Sequence, residues 1–121
     1  MSQGAIYIAT GRKYVEEACQ AATSHKTILP TLSVTLISDE NIQDPHFDKV
    51  ILVQRPDPSE GRFMSKIAYM GMSPYDHTLF LDTDTYVCGD ISDLFPLLER
   101  FDIAAAHDAN RITKRLEGSQ L

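Results

Sequence analysis

The chain has little of several features that fix a protein's class by themselves. It has only two cysteines, Cys19 and Cys88, with neither CxxC spacing nor a matched histidine pair, which excludes a disulfide framework and a zinc site. We expect both to be reduced, buried thiols with a structural role in a cytoplasmic protein. No apolar run approaches the roughly 18 residues that a membrane-spanning helix needs. No charged segment followed by a long apolar stretch opens the chain, so we expect no export signal.

Positive charge is also scarce. The 11 basic residues face 17 acidic ones, which gives a formal net charge of −6 and argues against binding to nucleic acid or anionic membranes. A small basic cluster near the end, Arg111, Lys114 and Arg115, fits a solvated helix face, with a phosphate-facing surface as the alternative. At 121 residues, the chain has the size of one domain that spans residues 1–121.

Short apolar runs alternate along the chain with amphipathic segments. Strands are predicted at residues 5–9, 34–38, 49–53, 77–81 and 103–106. Helical spacing of apolar residues predicts a helix over 14–22, a second one capped at residues 57–58 that ends before Gly71, and a short one from Asp93 to Phe101. This alternation indicates an α/β fold, with a mostly parallel, Rossmann-like sheet and helices on both faces.

Two carboxylates, Asp82 and Asp84, follow the apolar run of residues 78–81. Side chains at positions i and i+2 of an extended segment share a face, so we expect both carboxylates to address one cation. Carboxylates at the end of a buried strand also need a partner, because desolvation and mutual repulsion would otherwise destabilise them. Oxygen ligands on a half-open site suit Mn²⁺ or Mg²⁺. Two solvated loop aspartates are the alternative.

Polar residues follow four of the predicted strands, where ligands of open parallel sheets bind. They are Thr10, Gly11 and Arg12 after the first strand, Ser38 and Asp39 after the second, Asp82 and Asp84 after the fourth, and His107 and Asp108 after the fifth. We therefore expect one crevice at the carboxyl edge of the sheet.

The order of these elements resembles the GT-A nucleotide-sugar glycosyltransferases, and among them the retaining glycogenin-like and galactosyltransferase-like group. The resemblance is carried by SKIA at residues 65–68, YDHTLFLDTDTYV at 75–87 and DISDLF at 90–95. It covers nearly all of this chain but only about the first half of a complete family member, so the acceptor-binding part has no counterpart here. The resemblance implies a metal-dependent hexosyltransferase that uses a UDP-sugar and an unnamed acceptor. The chain would be a donor-binding half, a fragment, or a protomer that completes its site by assembling with a copy of itself.

The resemblance also assigns roles to single residues. Asp82 and Asp84 match the DxD pair that coordinates Mn²⁺ or Mg²⁺ on the donor diphosphate, with Thr83 between them. Lys66 matches a family lysine that touches the sugar-phosphate part of the donor, and Arg62, one turn earlier, either assists or is a solvated helix arginine. We assign catalytic roles to Asp82, Asp84 and Lys66. The remaining donor contacts that the resemblance implies are Thr10, Gly11 and Tyr14 near the uracil and ribose, and Asp39 near the base. Tyr14 also fits the buried stripe of its helix.

Three questions stay open at this point. The family's third metal ligand is usually a histidine, and His107 either supplies it or is a loop histidine with no ligand role. LFLDTDT at residues 79–85 also resembles the first motif of haloacid-dehalogenase-type phosphatases, although three predicted strands precede it, where that motif normally opens its domain. A nucleotide-sugar-binding module without an acceptor site is the non-enzymatic alternative.

Overall fold

The computed structural model describes residues 2–55 and 62–105, and for residues 62–65 it describes the backbone alone. Helices separate the strands of these residues, except that a loop joins the second strand to the third. In chain order they are β1 (Gln3–Ala9), α1 (Arg12–Ile28), β2 (Ser33–Ser38), β3 (Lys49–Leu52), α2 (Arg62–Met70), β4 (His77–Phe80) and a 3₁₀ helix (Ser92–Glu99).

The four strands form one sheet in the order β3-β2-β1-β4, and every neighbouring pair is parallel. β1 lies inside the sheet, where Tyr7 is opposite Leu36 of β2 and Ile6 is opposite Phe80 of β4. The chain winds outward from β1 through β2 and β3, and then crosses back to place β4 on the other side of β1. The strand order therefore reverses between β1 and β4, which is the topological switch point of such a sheet.

Helices cover both faces of the sheet, which confirms the predicted α/β class. On one face, Tyr7 and Leu36 pack in a buried cluster with apolar residues of α1. On the other face, Ile8 and Ile37 pack with Tyr69 of α2. Alternation along β1 and β2 produces this division, because successive side chains of a strand point to opposite faces. Full burial of one such aliphatic side chain contributes about 1.5–3 kcal/mol to stability.

Helix α1 starts where the backbone turns sharply at Gly11. Gly11 has a φ of +94°, which a residue with a Cβ atom adopts only under strain. The buried stripe of the helix consists of Val15, Ala18 and Ala22 at helical spacing, continued by His25. His25 is fully buried, and neither ring nitrogen has a hydrogen-bond partner among the described residues.

Tyr75, in the loop before β4, packs across the start of β1. Its hydroxyl group is hydrogen-bonded to the hydroxyl groups of Ser33 and Thr35, each at 2.7 Å. Its ring covers Gly4 so closely that a Cβ atom on Gly4 would overlap it. The absence of a side chain at residue 4 therefore lets the loop close over the sheet.

The segment after β4 is tied to α1 by hydrogen bonds to side chains of that helix. With the donor named first, they join the Thr83 hydroxyl to Glu17 (3.1 Å), the Tyr86 hydroxyl to Gln20 (3.1 Å) and the Val87 amide to the Ser24 hydroxyl (2.9 Å). The three helix residues are three or four positions apart, so they lie along one side of α1. Residues 83–87 consequently run beside the helix.

The predicted strand over residues 103–106 is wrong for the part that the structure describes. Residues 103–105 are in no strand, and all three are exposed, with Ile103 at 83%. An apolar run becomes a strand only when it finds a pairing partner and cover, and this run has neither among the described residues. Residue 106 lies outside them.

The short helix after β4 also differs from the prediction. It is a 3₁₀ helix that starts after Ile91 and ends at Glu99, with no capping side chain, and Asp93 lies in its first turn. At the start of the helix, Oδ1 of Asp90 accepts hydrogen bonds from the Ser92 amide and hydroxyl. Pro96 has no amide hydrogen to donate within the helix.

The two cysteines differ in exposure. Cys19 is half-buried, but Cys88 is exposed, so the expectation that both thiols are buried is wrong for Cys88. Cys88 follows the segment that runs beside α1, where its thiol donates a long contact of 3.7 Å to the Tyr86 carbonyl.

None of the helices in the described ranges is long and apolar enough to cross a bilayer.

Candidate functional site

The carboxyl ends of β1 and β4 lie side by side at the switch point of the sheet. Thr10 and Gly11 follow β1, and Asp82 follows β4 two residues after its end. The amide of Leu81 donates to the Ile6 carbonyl at 3.2 Å, which extends the pairing of the two strands toward this edge. Loops diverge where the strand order reverses, so a ligand crevice is expected at this place.

Gly11, Asp39 and Arg55 form a connected group at the same edge of the sheet. The Gly11 amide donates to Oδ1 of Asp39 at 3.0 Å, and Nε of Arg55 donates to Oδ2 of Asp39 at 2.7 Å. The Asp39 side chain is only 7% exposed, whereas that of Arg55 is 66% exposed. Asp39 therefore joins the residues that follow β1, β2 and β3 into one unit.

The charge of Asp39 is stabilised by this arrangement. Burial alone would raise the pKa of Asp39, but the hydrogen bonds from Gly11 and from the Arg55 guanidinium outweigh it, so the pKa lies below its ordinary value of 3.8. Asp39 is therefore a carboxylate throughout the neutral range, and both of its oxygens are engaged inside the protein.

Asp82 and Asp84 lie on an exposed turn. The backbone closes from Thr85 to Asp82, whose carbonyl accepts the Thr85 amide at 3.2 Å and the Thr85 hydroxyl at 2.6 Å. Both aspartates are exposed. Two premises of the sequence argument are thus wrong, because the segment is not extended at Asp82–Asp84 and its carboxylates are not desolvated. β4 ends at Phe80, so Asp82 and Asp84 lie beyond the strand, where the core does not cover them.

Lys66 of α2 is next to the first of these carboxylates. Its Nζ lies 3.6 Å from Oδ1 of Asp82, and the two side chains are 47% and 57% exposed. The sequence places these residues on different elements, and the structure brings them together beside the switch point. Both side chains have room to reorient toward a ligand.

Thr83 and Tyr14 have partners inside the protein. The Thr83 hydroxyl donates to Glu17 of α1. The Tyr14 ring is half-buried against the core cluster on the α1 face of the sheet, and Nζ of Lys13 lies 5.8 Å from the ring centre. The structure thus gives Tyr14 the packing role that its helical spacing allows, while its predicted contact with a base stays a prediction.

Two members of this region were not predicted from the sequence. Arg55 was not identified as a site residue, although it lies two positions after a predicted strand and precedes a proline, which places it near the sheet edge. Glu17 lies within the predicted helix, and no sequence signal pairs it with Thr83, which lies 66 positions away.

Other predicted residues lie outside the part of the chain that the structure describes. They are His107, Asp108 and the basic cluster of Arg111, Lys114 and Arg115, together with the helix cap at residues 57–58 and the side chain of Arg62. Within the described residues, no three side chains of histidine, cysteine, aspartate or glutamate are grouped so that they could hold a metal ion.

Asp82 and Asp84 each carry the hard oxygen ligands that Mg²⁺ and Mn²⁺ prefer. Both lie on an exposed turn, and Mg²⁺ or Mn²⁺ commonly takes one or two protein carboxylates and completes its shell with water and phosphate oxygens.

Among solved structures, the chain is similar to TarS of S. aureus, a glycosyltransferase. The two share 14% sequence identity and a TM-score of 0.50, over 83% of this chain and 20% of TarS. This chain therefore spans about a fifth of the length of TarS, and a likeness at this identity concerns the fold. No family model and no curated protein matches the chain. The chain therefore has an α/β fold similar to part of TarS, with a four-stranded, all-parallel, Rossmann-like sheet.

Proposed function

We propose that this chain is the donor-binding part of a metal-dependent glycosyltransferase, which binds a UDP-sugar and transfers its hexosyl group to an acceptor. The observation that carries the proposal is the juxtaposition of Lys66 with Asp82, 3.6 Å apart, beside the point where the strand order reverses. A lysine and two exposed carboxylates at a switch point suit a diphosphate that is bound together with a divalent cation. The glycosyltransferase-like fold supports the same function.

Asp82 and Asp84 would hold Mn²⁺ or Mg²⁺ through their carboxylate oxygens. When bound, the cation supplies charge neutralisation to the diphosphate that leaves in the transfer. Lys66, whose Nζ lies 3.6 Å from Asp82, would add a positive charge beside the same phosphates. Arg62, one helical turn before Lys66, and Thr83, between the two aspartates, remain candidate donor contacts.

The nucleoside would extend from the diphosphate toward the residues that follow β1 and β2. Thr10 and Gly11 form the turn at that place, Tyr14 lies in the first turn of α1, and Asp39 anchors Gly11. The backbone at Gly11 lacks a side chain, so a ligand can approach the turn closely.

Calorimetric titration of UDP in the presence and absence of Mn²⁺ tests the proposal. We expect binding that requires the metal, and we expect Asp82→Asn and Asp84→Asn to abolish it without changing the circular dichroism spectrum, because neither side chain is part of the core. An exposed carboxylate away from the turn, Glu99, provides the matched control, and Glu99→Gln should bind UDP as the unchanged chain does. Binding that survives both aspartate replacements contradicts the metal assignment.

Product analysis separates the enzyme from the binding module. Slow, Mn²⁺-dependent release of hexose from a UDP-hexose supports a transferase, since water can act as a poor acceptor. Tight, metal-dependent binding without hydrolysis or transfer supports a nucleotide-sugar-binding module instead. Release of phosphate from a phosphate monoester, with no affinity for UDP, would favour the phosphatase alternative.

A further inference from the structure

Thr83 lies between the two exposed aspartates of the turn, and its side chain is held by helix α1. Its hydroxyl group donates to Oε2 of Glu17 at 3.1 Å, although the two residues are 66 positions apart in the chain. Thr83 and Glu17 are half-buried, whereas Asp82 and Asp84 are exposed. The contact with Glu17 therefore fastens the middle of the turn to the helix and leaves the carboxylates on either side accessible.

The turn of residues 82–85, called the carboxylate turn below, is shaped by its own hydrogen bonds. The Asp82 carbonyl accepts the Thr85 amide at 3.2 Å and the Thr85 hydroxyl at 2.6 Å. These bonds close the turn but do not attach it to another element. Lys66 of α2 approaches the Asp82 carboxylate, and this contact loosens if both groups bind a ligand. The hydrogen bond from Thr83 to Glu17 uses neither carboxylate, so it is compatible with a bound cation.

Attachment of the turn matters because its two carboxylates carry the same charge. On an unattached, exposed turn, like charges move apart, and the conformation that binds a cation has to be selected from many others. A contact that already holds the backbone between the carboxylates lowers this ordering cost, and the gain appears as tighter binding. Groups that hold metal-binding residues in place commonly affect metal affinity in this way.

We infer that Glu17 is a positioning residue for the carboxylate turn, which it holds through the hydroxyl group of Thr83. This inference rests on the function proposed above and adds a residue of α1 to its site. Glu17 acts as a hydrogen-bond acceptor, through Oε2, and its negative charge is not the effective property. Thr83 in turn acts as the link between the helix and the two aspartates.

Two probes test the effect on ligand affinity. UDP carries base, ribose and diphosphate, whereas inorganic pyrophosphate with Mn²⁺ occupies the metal-binding end alone. We expect Glu17→Ala to weaken the affinity for both probes, measured with Mn²⁺ by titration calorimetry, by similar factors of about three to ten, because one hydrogen bond that orders the turn is lost. Glu17→Gln keeps an oxygen acceptor and should stay within about twofold of the unchanged chain.

Glu16 provides the matched control. It is the neighbouring glutamate of the same helix, it carries the same charge, and its side chain is exposed. Glu16→Ala should therefore bind both probes as the unchanged chain does.

The conformation of the turn also has a readout that needs no ligand. Exchange of the Thr85 amide hydrogen with solvent, measured by NMR, reports how often the bond to the Asp82 carbonyl opens. We expect faster exchange in Glu17→Ala and in Thr83→Val, by about threefold or more, because both variants release the turn from the helix. Exchange in Glu17→Gln and in Glu16→Ala should match that of the unchanged chain. Unaltered exchange in Glu17→Ala would overturn the inference.

Thr83→Val tests whether the two residues act as one unit. This replacement removes the hydroxyl with little change of shape, and adding Glu17→Ala to it should cause no further loss of affinity, since both variants break one hydrogen bond. Equal losses in Glu17→Gln and Glu17→Ala would assign the effect to the charge of Glu17 and overturn the inference. A loss in Thr83→Val that is confined to UDP would also overturn it, because the hydroxyl would then contact the nucleoside.

Failure of this inference is distinguishable from failure of the proposed function. If Glu17→Ala binds both probes as tightly as the unchanged chain does, the inference fails and the proposed function stands. If the unchanged chain binds neither probe in the presence of Mn²⁺, the proposed function fails first and the inference fails with it.

Discussion

Nζ of Lys66 and Oδ1 of Asp82 lie 3.6 Å apart, and they join α2 to the turn that follows β4. Both side chains are about half exposed, so the pair contributes about 0–1 kcal/mol to stability. The pair matters for its position, because it places the Lys66 ammonium and the Asp82 carboxylate together at the switch point, where both side chains are exposed enough to move.

The first prediction concerns this lysine. We expect Lys66→Met to weaken the affinity for UDP and for Mn²⁺-pyrophosphate by similar factors, since the lost charge acts on the phosphates that both probes share. Lys66→Arg should retain most of the affinity. Titration calorimetry measures the affinity of each variant for each probe. The midpoint of thermal unfolding should change little in either variant. A loss confined to UDP would mean that Lys66 touches the nucleoside instead.

The second prediction concerns the close approach of Tyr75 to β1. Gly4→Ala places a Cβ atom on the Tyr75 ring, so the loop must shift and its hydroxyl contacts with Ser33 and Thr35 must weaken. We expect the free energy of unfolding, measured by urea titration, to fall by about 1–3 kcal/mol. Gly89→Ala is the matched control, because a Cβ atom there meets nothing within 4 Å. Equal stability of the two variants would contradict this account.

The third prediction concerns the attachment of residues 83–87 to α1. Ser24→Ala leaves the amide of the buried Val87 without its acceptor, so we expect a loss of about 1–3 kcal/mol. Thr27→Ala removes a hydroxyl from the same helix that donates only to the Thr23 carbonyl, and it should change stability by less than about 0.5 kcal/mol. Urea titration of both variants provides the comparison. Two indistinguishable curves would show that the Val87 amide finds another partner.

The fourth prediction concerns acid. Burial lowers the pKa of His25 below its ordinary value of 6.5, Lys26 lowers it further, and Asp48 partly opposes both. The unfolded chain therefore binds a proton at a higher pH than the folded chain does. Stability is complete above the unfolded pKa and is lost as the pH falls from about 6.5 toward the folded pKa.

Urea titrations between about pH 7.5 and about pH 5 test the contribution of His25. We expect the free energy of unfolding to fall across this range by up to about 1.4 kcal/mol per pH unit. In His25→Leu the fall should largely disappear, whatever the absolute stability of that variant. The acidic groups with lowered pKa values, Asp39, Asp44 and Asp48, titrate below this window and do not obscure it. A slope that persists in His25→Leu would assign the effect to another group.

The sequence predicts the fold well where burial decides it. Strands β1 and β2 are covered on both faces, so their continuous apolar runs identify them almost to the residue, and the stripe of α1 follows from Val15, Ala18 and Ala22. Prediction fails where cover is missing. Residues 103–105 have an apolar composition but remain exposed, and composition alone does not reveal whether a run will find a partner.

The sequence predicts which residues lie at the candidate site better than it predicts the contacts between them. The residues after β1 and β4 follow from topology alone, because parallel strands bring their carboxyl ends to one edge. The ion pair between Asp39 and Arg55 does not follow from topology, since an ion pair between two loops depends on where the loops turn. The turn at Asp82 does not follow from topology either. The Asp82 carbonyl accepts hydrogen bonds from the Thr85 amide and hydroxyl, and these replace the extended backbone that the sequence of residues 82–85 suggests.

The central position of β1 has a consequence for synthesis of the chain. β1 is made before the strands that pair with it, yet its edge toward β4 is filled only when Gln3 pairs with His77, 74 positions later. Until Phe80 has been made, a nascent chain carries an unsaturated strand edge next to Ile6 and Ile8, which other nascent chains can join. Ribosome pausing before β4 should therefore favour aggregation, whereas pausing after it should not.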